Sequence, residues 1–560
     1  MTTRELFSLD SLVLSESSHQ TVEHGEVFTR RWVVETILDL VGYTVDRDLA
    51  DMVIVEPACG AGAFLGPMVE RLSTACRAHG RSLLDAVDAI QAFDLIDRNV
   101  ELSQDLVTGW LLADGWDPTH VAKVVHAWIA QGDYLLREPS IHQADFVVGN
   151  PPYVRLEDVS DARMSAYRLA CPTMSGRADI YVGFYEVGLR SLKPGGRLGY
   201  VCADRWMRNQ YGRSLRRLVA RHCSVDLVLT MHDVDAFHDH VSAYPAITVI
   251  RNAPQGPAIV ADTTSGFGPR QVAHFLAWTT QTDQSQVAAP SFHAARLPHW
   301  FPGDDSWPAA SPARLTVLED LNDRFRPLED SATGTRVGIG VATGADSVFI
   351  TDRNNTADVE SDRLLPLAMV RDTTSGELNW HGAYLVNPWD SRGELVDLAS
   401  YPRFARYLRR HSHALRGRYV ATKQPDRWYK TIDKVDHQLT ERSKLLFPDL
   451  KLTTHPVLDP GGLYPHHNLY YVVSDVWDLR VLGGLLLSKI AEAFVAAYGV
   501  KMRGGTLRFQ AQYLRRIRVP DPAAISLEDR DALADAFDRR DVQAATKAAL
   551  RVYGLAELPD

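Results

Sequence analysis

From about Val33 to Asn252, short apolar runs at residues 52–55, 90–93, 145–148, 197–202, 225–229 and 246–250 alternate with stretches of helical periodicity. Strand alternating with helix commits this region to an α/β fold, a mostly parallel doubly wound sheet covered on both faces. Ligands of such sheets lie at the carboxyl ends of strands, near the point where strand order reverses. At 560 residues the chain exceeds one ordinary core, so further domains are expected. Between about residues 253 and 312 the pattern breaks into Gly, Pro, Ser, Thr and Gln with scattered aromatics (Phe275, Trp278, Trp300, Trp307), which reads as an interdomain connection. Beyond it, short strands and helices mix without βα alternation. The resulting division is a catalytic domain at 20–252, a connection at 253–312, a mixed α+β domain at 313–520 and a short helical tail at 521–560.

Composition excludes several classes. With 45% hydrophobic and 23% charged residues, the chain is neither disordered nor fibrous nor membrane-embedded. Its five cysteines (Cys59, Cys76, Cys171, Cys202, Cys223) never stand as CxxC, which argues against a disulfide framework or a zinc ribbon and suits a reducing cytoplasm. No metal site is expected. Glu5 and Asp10 occupy the place where an export signal has a basic and then an apolar run. The most apolar stretch, 481–500, contains Lys489, Glu492 and two adjacent glycines, and reads as a buried amphipathic helix rather than a bilayer span. A cytoplasmic protein without membrane contact is expected. A formal charge of −10 argues against a nucleic-acid partner when charge is averaged over the whole chain.

Four motifs carry chemistry. Residues 53–65 (VIVEPACGAGAFL) read as a strand ending at Glu56, followed by small residues, Ala58, Gly60, Ala61 and Gly62, that let the main chain turn tightly and approach an adenosyl cofactor before a helix begins near Ala63. Cys59, inside this turn, reads as packing. Such a turn also occurs without a ligand, but acids follow in register. Asp94 ends the next strand, where a carboxylate can accept both ribose hydroxyl hydrogen bonds, and Asp133 in GDY is placed to meet an adenine amino group. Residues 145–153 (DFVVGNPPY) run a buried strand into Asn150, and Pro151 and Pro152 stiffen the loop and remove two donors. The Asn150 side-chain oxygen and the Pro151 carbonyl can accept both hydrogens of a planar exocyclic amine, while Tyr153 offers a ring for stacking.

In this order the motifs resemble the gamma-class, TaqI-type family of S-adenosylmethionine-dependent DNA N6-adenine methyltransferases. The resemblance covers residues 23–252 and implies a class I, Rossmann-like methyltransferase domain followed by a target-recognition domain. It assigns the cofactor to Thr29, Glu56, Ala58, Cys59, Gly60, Gly62, Asp94 and Asp133, with Thr29 of GEVFTRRW holding the methionine carboxylate. The family has Thr-Pro where this chain has Thr29-Arg30. Phe237, after Ala236, resembles the aromatic residue that stacks on the opposite face of an extruded base from Tyr153. VGIGVATGADSVFI (337–350) and the segment from Tyr498 to Pro520 resemble target-recognition regions more loosely.

Local charge then reverses what the average implies. Arg403, Arg406, Arg409, Arg410, Arg416, Arg418, Lys423, Arg427, Lys430 and Lys434 face only Asp426 and Asp433, a net charge of +8, and Tyr407, Tyr419, Trp428 and Tyr429 are interleaved. This is the expected phosphate-contacting surface for double-stranded DNA. Lys501, Arg503, Arg508, Arg515, Arg516 and Arg518 form a second basic group, and Arg205, Arg208, Arg213, Arg216 and Arg217 a patch on the catalytic domain. The expected enzyme is a monomeric, site-specific adenine methyltransferase of a restriction-modification or related defence system, with a separate cognate endonuclease as partner. Methylation of an RNA base amine or a protein glutamine, or service as a non-autonomous modification subunit, remain alternatives.

Overall fold

The computed structural model describes residues 28–137, 143–232, 234–238, 245–353, 357–499 and 507–559. They form two compact units, divided between Thr316 and Val317.

Unit 1 is built on a ten-stranded sheet. In chain order its strands are β1 (Ile54–Glu56), β2 (Ile90–Asp94), β3 (Ile129–Gln131), β4 (Ala144–Gly149), β5 (Leu192–Ala203), β6 (Ser224–Thr230), β7 (Pro245–Arg251), β8 (Ala258–Thr263), β9 (Gln286–Ala289) and β10 (Phe292–Leu297). Their spatial order is β3-β2-β1-β4-β5-β7-β6-β8-β10-β9. The first five pair in parallel, β7 runs antiparallel to both β5 and β6, and β6 pairs in parallel with β8. Strand order reverses between β1 and β4, so the crevice beyond their carboxyl ends is the expected ligand position.

The helices α1 (Arg31–Val41), α2 (Leu65–Ala78), α3 (Asp97–Ala113), α4 (Pro118–Trp128), α5 (Asp161–Ala170), α6 (Tyr181–Ser191), α7 (Arg213–His222) and α8 (Pro269–Thr280) complete the unit. In α1 the buried residues Val33, Val34, Ile37, Leu38 and Val41 recur at helical spacing, and Gly42, in the left-handed conformation, ends the helix by donating to Leu38 and Asp39. This stripe lies on β5 at Gly199, where a Cβ would come within 2.5 Å of Val41 and 2.9 Å of Ile37. A larger residue there would push α1, and with it the preceding Thr29, off the sheet.

The supposed connection at 253–312 belongs to unit 1. It supplies β8, β9 and β10, and its aromatics Phe275, Trp278, Trp300 and Trp307 are buried. Trp307 packs on Trp206 at 5.3 Å and on Trp300 at 5.7 Å between ring centroids. Of the polar residues that suggested a linker, Thr264, Ser265, Gln281, Thr282, Gln284 and Ser285 lie between elements, while Gln271, Thr279 and Thr280 lie within α8.

Unit 2 contains two four-stranded sheets. One orders Arg336–Ile339, Leu469–Val473, Lys444–Pro448 and Val457–Asp459, all antiparallel. The other orders Ile350–Asp352, Ala383–Val386, Leu364–Ala368 and Tyr464–Pro465. The apolar stretch near residue 481 forms two helices, Leu479–Leu487 and Lys489–Tyr498, bent by 63° at Ser488. Both are largely buried, and no single helix among the described residues is long and apolar enough to cross a membrane. The adjacent glycines Gly483 and Gly484 let Leu479–Leu487 pack against the helix Leu527–Asp538, since a Cβ on either would meet Phe537 or the Leu533 carbonyl within 2.5 Å. Residues from Asp521 form that helix and Val542–Tyr553.

Candidate active site

The carboxyl ends of β1, β2 and β4 open onto a cavity of about 380 Å³, within the range of small-molecule sites. Each wall follows from a sequence element. After Glu56 the chain turns through Gly60 and Gly62, with φ of 51° and 90°, which disfavours any other residue. A Cβ on Gly60 would meet nothing within 4 Å. Gly62 is small for a different reason from the one expected. A Cβ there would lie 2.8 Å from Leu106 and 3.4 Å from Ser103, so it admits α3 rather than a ligand. The turn is tied down by the Ser103 hydroxyl donating to the Gly60 carbonyl at 2.8 Å and by the Cys59 amide donating to the Phe93 carbonyl at 2.8 Å. Ala58 lines the cavity. Burial and the neighbouring Glu56 and Asp94 carboxylates push the Cys59 thiol far up, so it is no nucleophile at neutral pH.

Four acids line this cavity, Glu56, Asp94, Asp133 and Asp158, and the three read from the sequence have unequal freedom. Glu56 is 1% exposed, its Oε2 has no hydrogen-bond partner among the described residues, and burial followed by the Asp94 charge raises its carboxyl well above the usual range. Asp94 is already engaged. It accepts from the Gly60 amide at 2.9 Å, from the Ile96 amide at 2.9 Å and from the Asn99 side chain at 3.2 Å. Asp94, the expected ribose ligand, is therefore first a clamp joining the glycine turn to the start of α3, with about one lone pair remaining for a further donor. Asp133 accepts from the Tyr167 hydroxyl at 2.8 Å and from the Leu135 amide at 3.2 Å, with Arg163 at 3.8 Å.

At the end of β4, the Asn150 amide nitrogen donates to the Thr29 hydroxyl at 3.1 Å. Thr29 is 4% exposed and lines the same cavity. Its hydroxyl oxygen accepts from the Asn150 carboxamide, which leaves the hydroxyl proton to donate. Pro151 is buried and Pro152 lines the cavity. The following loop is pinned by the Ile180 amide donating to the Val154 carbonyl at 2.8 Å and the Leu156 amide to the Ala178 carbonyl at 3.0 Å. Tyr153 is half-buried, with its hydroxyl buried and unpartnered among the described residues.

Phe237 departs from expectation. It is 5% exposed, belongs to the main core cluster and meets Tyr153 edge-on, at 6.4 Å between centroids and 78° between planes. Two rings so arranged do not face each other as a slot, so stacking a base between them requires one to turn. Sequence reasoning assigned no role to Tyr167, Arg163 or Phe184, all of which line the cavity. Tyr167 is the single buried residue of α5, and an aromatic alone on a polar helix was the available signal. Phe184 stacks on Tyr134 at 5.7 Å, which stacks on Phe93 at 6.0 Å.

A profile of the Eco57I restriction-modification methylases matches residues 131–237. The chain is 43% identical over 534 residues to the Type II methyltransferase M.PaeR7I of Pseudomonas aeruginosa, covering 95% of this chain and 92% of that one. It is 41% identical to M.XhoI of Xanthomonas vasicola, covering 96% and 98%, and 36% identical to M.BstVI of Geobacillus stearothermophilus, covering 93% and 94%. The chain belongs to the Type II methyltransferases of restriction-modification systems.

In this methyltransferase the basic surfaces divide into free and committed cations. The helix Pro402–Arg410 buries Phe404, Ala405 and Leu408 and exposes Arg403, Arg406, Arg409 and Arg410. Arg403 and Arg406 stand 3.7 and 3.9 Å from Asp358, and Arg427 and Lys434 stand 3.5 and 3.8 Å from Glu394, all exposed pairs of little strength. Lys430 donates to Gln424, Arg416 lies over Trp428, and Lys423 lies over Tyr419, which is 74% exposed. Arg418 is not a surface cation. It donates to the carbonyls of Leu415, Thr343, Trp428 and Lys430, at 2.8 to 3.1 Å, and pins the 337–350 motif. Tyr407, Trp428 and Tyr429 pack with the unit 2 core rather than outward.

The other basic groups are largely spent on structure. Arg508 pairs with Asp449, Arg515 with Glu329, and Arg518 donates to Asn322. Lys501 and Arg503 lie outside the described residues. Arg216 is 2% exposed and donates to four carbonyls, while Arg213 and Arg217 meet Asp304 and Arg208 meets Asp204.

Proposed function

We propose that this methyltransferase modifies the N6 amino group of adenine in duplex DNA, with S-adenosylmethionine as methyl donor. The observation that carries the reading is the Asn150 carboxamide, held by Thr29 at the edge of the acid-lined cavity. Its nitrogen donates to Thr29, and its oxygen, buried at this position, is the acceptor assigned to a substrate amine, with the Pro151 carbonyl as a second. Two such acceptors orient the amine hydrogens and direct the nitrogen lone pair toward the methyl group, which is catalysis by alignment and hydrogen bonding.

The cavity residues fit the cofactor. The orphaned Glu56 oxygen, the open face above Gly60 and the Asp133 carboxylate offer acceptors and close main-chain approach to a ligand rich in hydroxyl and amino donors. Thr29, Ala58 and Asp94 line the same space. Bound there, the cofactor supplies an electrophilic methyl on a sulfonium. Extruding a paired base costs a few kcal/mol. Stacking on Tyr153 and a reoriented Phe237, worth about 1–3 kcal/mol per base, offsets most of that. The exposed cations of Pro402–Arg410, with Lys423, Arg427 and Lys430, contact phosphates. The enzyme acts as a monomer beside a separate cognate endonuclease.

The test is methyl transfer from labelled S-adenosylmethionine to unmethylated duplex DNA, followed by nucleoside analysis. Label is expected in N6-methyladenine. Label in N4-methylcytosine, RNA or protein would overturn the assignment.

A further inference from the structure

The departure from Thr-Pro at Thr29-Arg30 has a structural counterpart. Residues 28–30 lie beside residues 235–238 as an antiparallel pair, with a bridge between Thr29 and Phe237. The Arg30 amide donates to the Ala236 carbonyl at 3.1 Å and the His238 amide to the Phe28 carbonyl at 2.9 Å. Arg30 adds its side chain, donating through Nε to the Phe237 carbonyl at 3.2 Å and through Nη2 to Asp235 at 2.5 Å. Proline could make neither the main-chain nor the side-chain contacts, since it has no N–H and no guanidinium. One residue therefore joins the segment whose hydroxyl holds Asn150 to the segment that carries the base-stacking ring.

We propose that Arg30 is a positioning residue that sets the Phe237 segment against the Asn150 site, so that capture of the target base depends on it while cofactor binding does not. The inference rests on the base-stacking role given to Phe237 under the proposed function. Its reach is short: the guanidinium contacts span residues 235–237 only, and the nearest link to the amine site is Thr29 itself.

The experiment compares Arg30→Met, which keeps the main-chain N–H, Arg30→Lys, Phe237→Ala and the Arg30→Met/Phe237→Ala double variant. S-adenosylmethionine affinity is measured by titration, kcat and KM by methyl transfer to unmethylated duplex DNA, and folding by thermal melting. Losing the charge-assisted contacts in Arg30→Met should lower kcat/KM for DNA about tenfold, with Arg30→Lys recovering part of it. In the two Arg30 single variants, cofactor affinity and melting temperature should stay at the wild-type values. Because Arg30 acts through the Phe237 segment, the double variant should lose no more than the weaker single variant. Multiplying losses in the double variant, unchanged DNA kinetics in Arg30→Met, or a parallel loss of cofactor affinity would each overturn the proposal. A wild-type enzyme that transfers no methyl group to DNA would instead overturn the functional reading on which it rests.

Discussion

Glu56 and Asn150 show how far a residue's type predicts its work. Glu56 carries the cost of a buried carboxylate with an orphaned oxygen. Its raised carboxyl pKa means that the folded protein holds this proton more tightly than the unfolded chain, so the contribution to stability is present at acid pH and is lost as pH rises above the ordinary Glu range. Glu56→Gln should raise the melting temperature of the ligand-free protein at pH 8 by about 2–4 °C, an advantage that disappears near pH 4. It should also weaken S-adenosylmethionine binding, measured by calorimetry. Asn150→Ala should abolish methyl transfer with cofactor affinity retained, and a fully active variant would refute the amine-orienting role. The sequence placed both residues correctly at strand ends, because a motif dictates main-chain position. It did not show that Thr29 holds Asn150, that Asp94 clamps Gly60 or that Gly62 makes room for α3. Those partners come from elements 30 to more than 100 residues away, and residue spacing carries no information about them.

At the scale of elements, periodicity located all six strands read from the alternating region, yet it left β8 to β10 as a connection. They are added outward from β6 one on another, β8 on β6, β10 on β8 and β9 on β10, pairings that local sequence cannot register. Unit 2 holds a comparable case. Lys444 and Asp459 face each other across two antiparallel strands, both fully buried, with the ammonium 2.8 Å from the carboxylate. Lys444→Met leaves Asp459 as an uncompensated charge and should cost about 3–5 kcal/mol in chemical denaturation. Lys444→Met/Asp459→Leu should recover most of that loss. The helix Pro402–Arg410 was legible as a basic face, because Arg403, Arg406 and Arg410 share helical spacing. The interleaved aromatics were misleading, since three of the four anchor that segment to its own core.

For the whole molecule, a net charge of −10 does not bar a polyanionic partner where cations are gathered locally, as they are on the exposed face of Pro402–Arg410. Replacing Arg403, Arg406, Arg409 and Arg410 by Gln should weaken duplex binding and flatten the plot of log affinity against log salt by about 0.9 for each phosphate contact removed, as read by fluorescence anisotropy across a KCl series. An unchanged slope would return that helix to ordinary solvated surface. Arg418→Gln should behave in the opposite way, lowering the melting temperature and leaving the salt dependence alone, because its donors satisfy internal carbonyls.

The pairing of residues 28–30 with 235–238 also orders events in time. Arg30 and Phe237 are 207 positions apart. At a synthesis rate of roughly 5–20 residues per second, about 10–40 seconds pass between their arrivals. Within that interval Asn150 and β5 become available to Thr29 and α1, but the pairing partner at 235–238 does not. The pairing that fastens the Phe237 segment thus forms only after the rest of the pocket has been made, and a nascent chain stopped short of Asp235 would lack it.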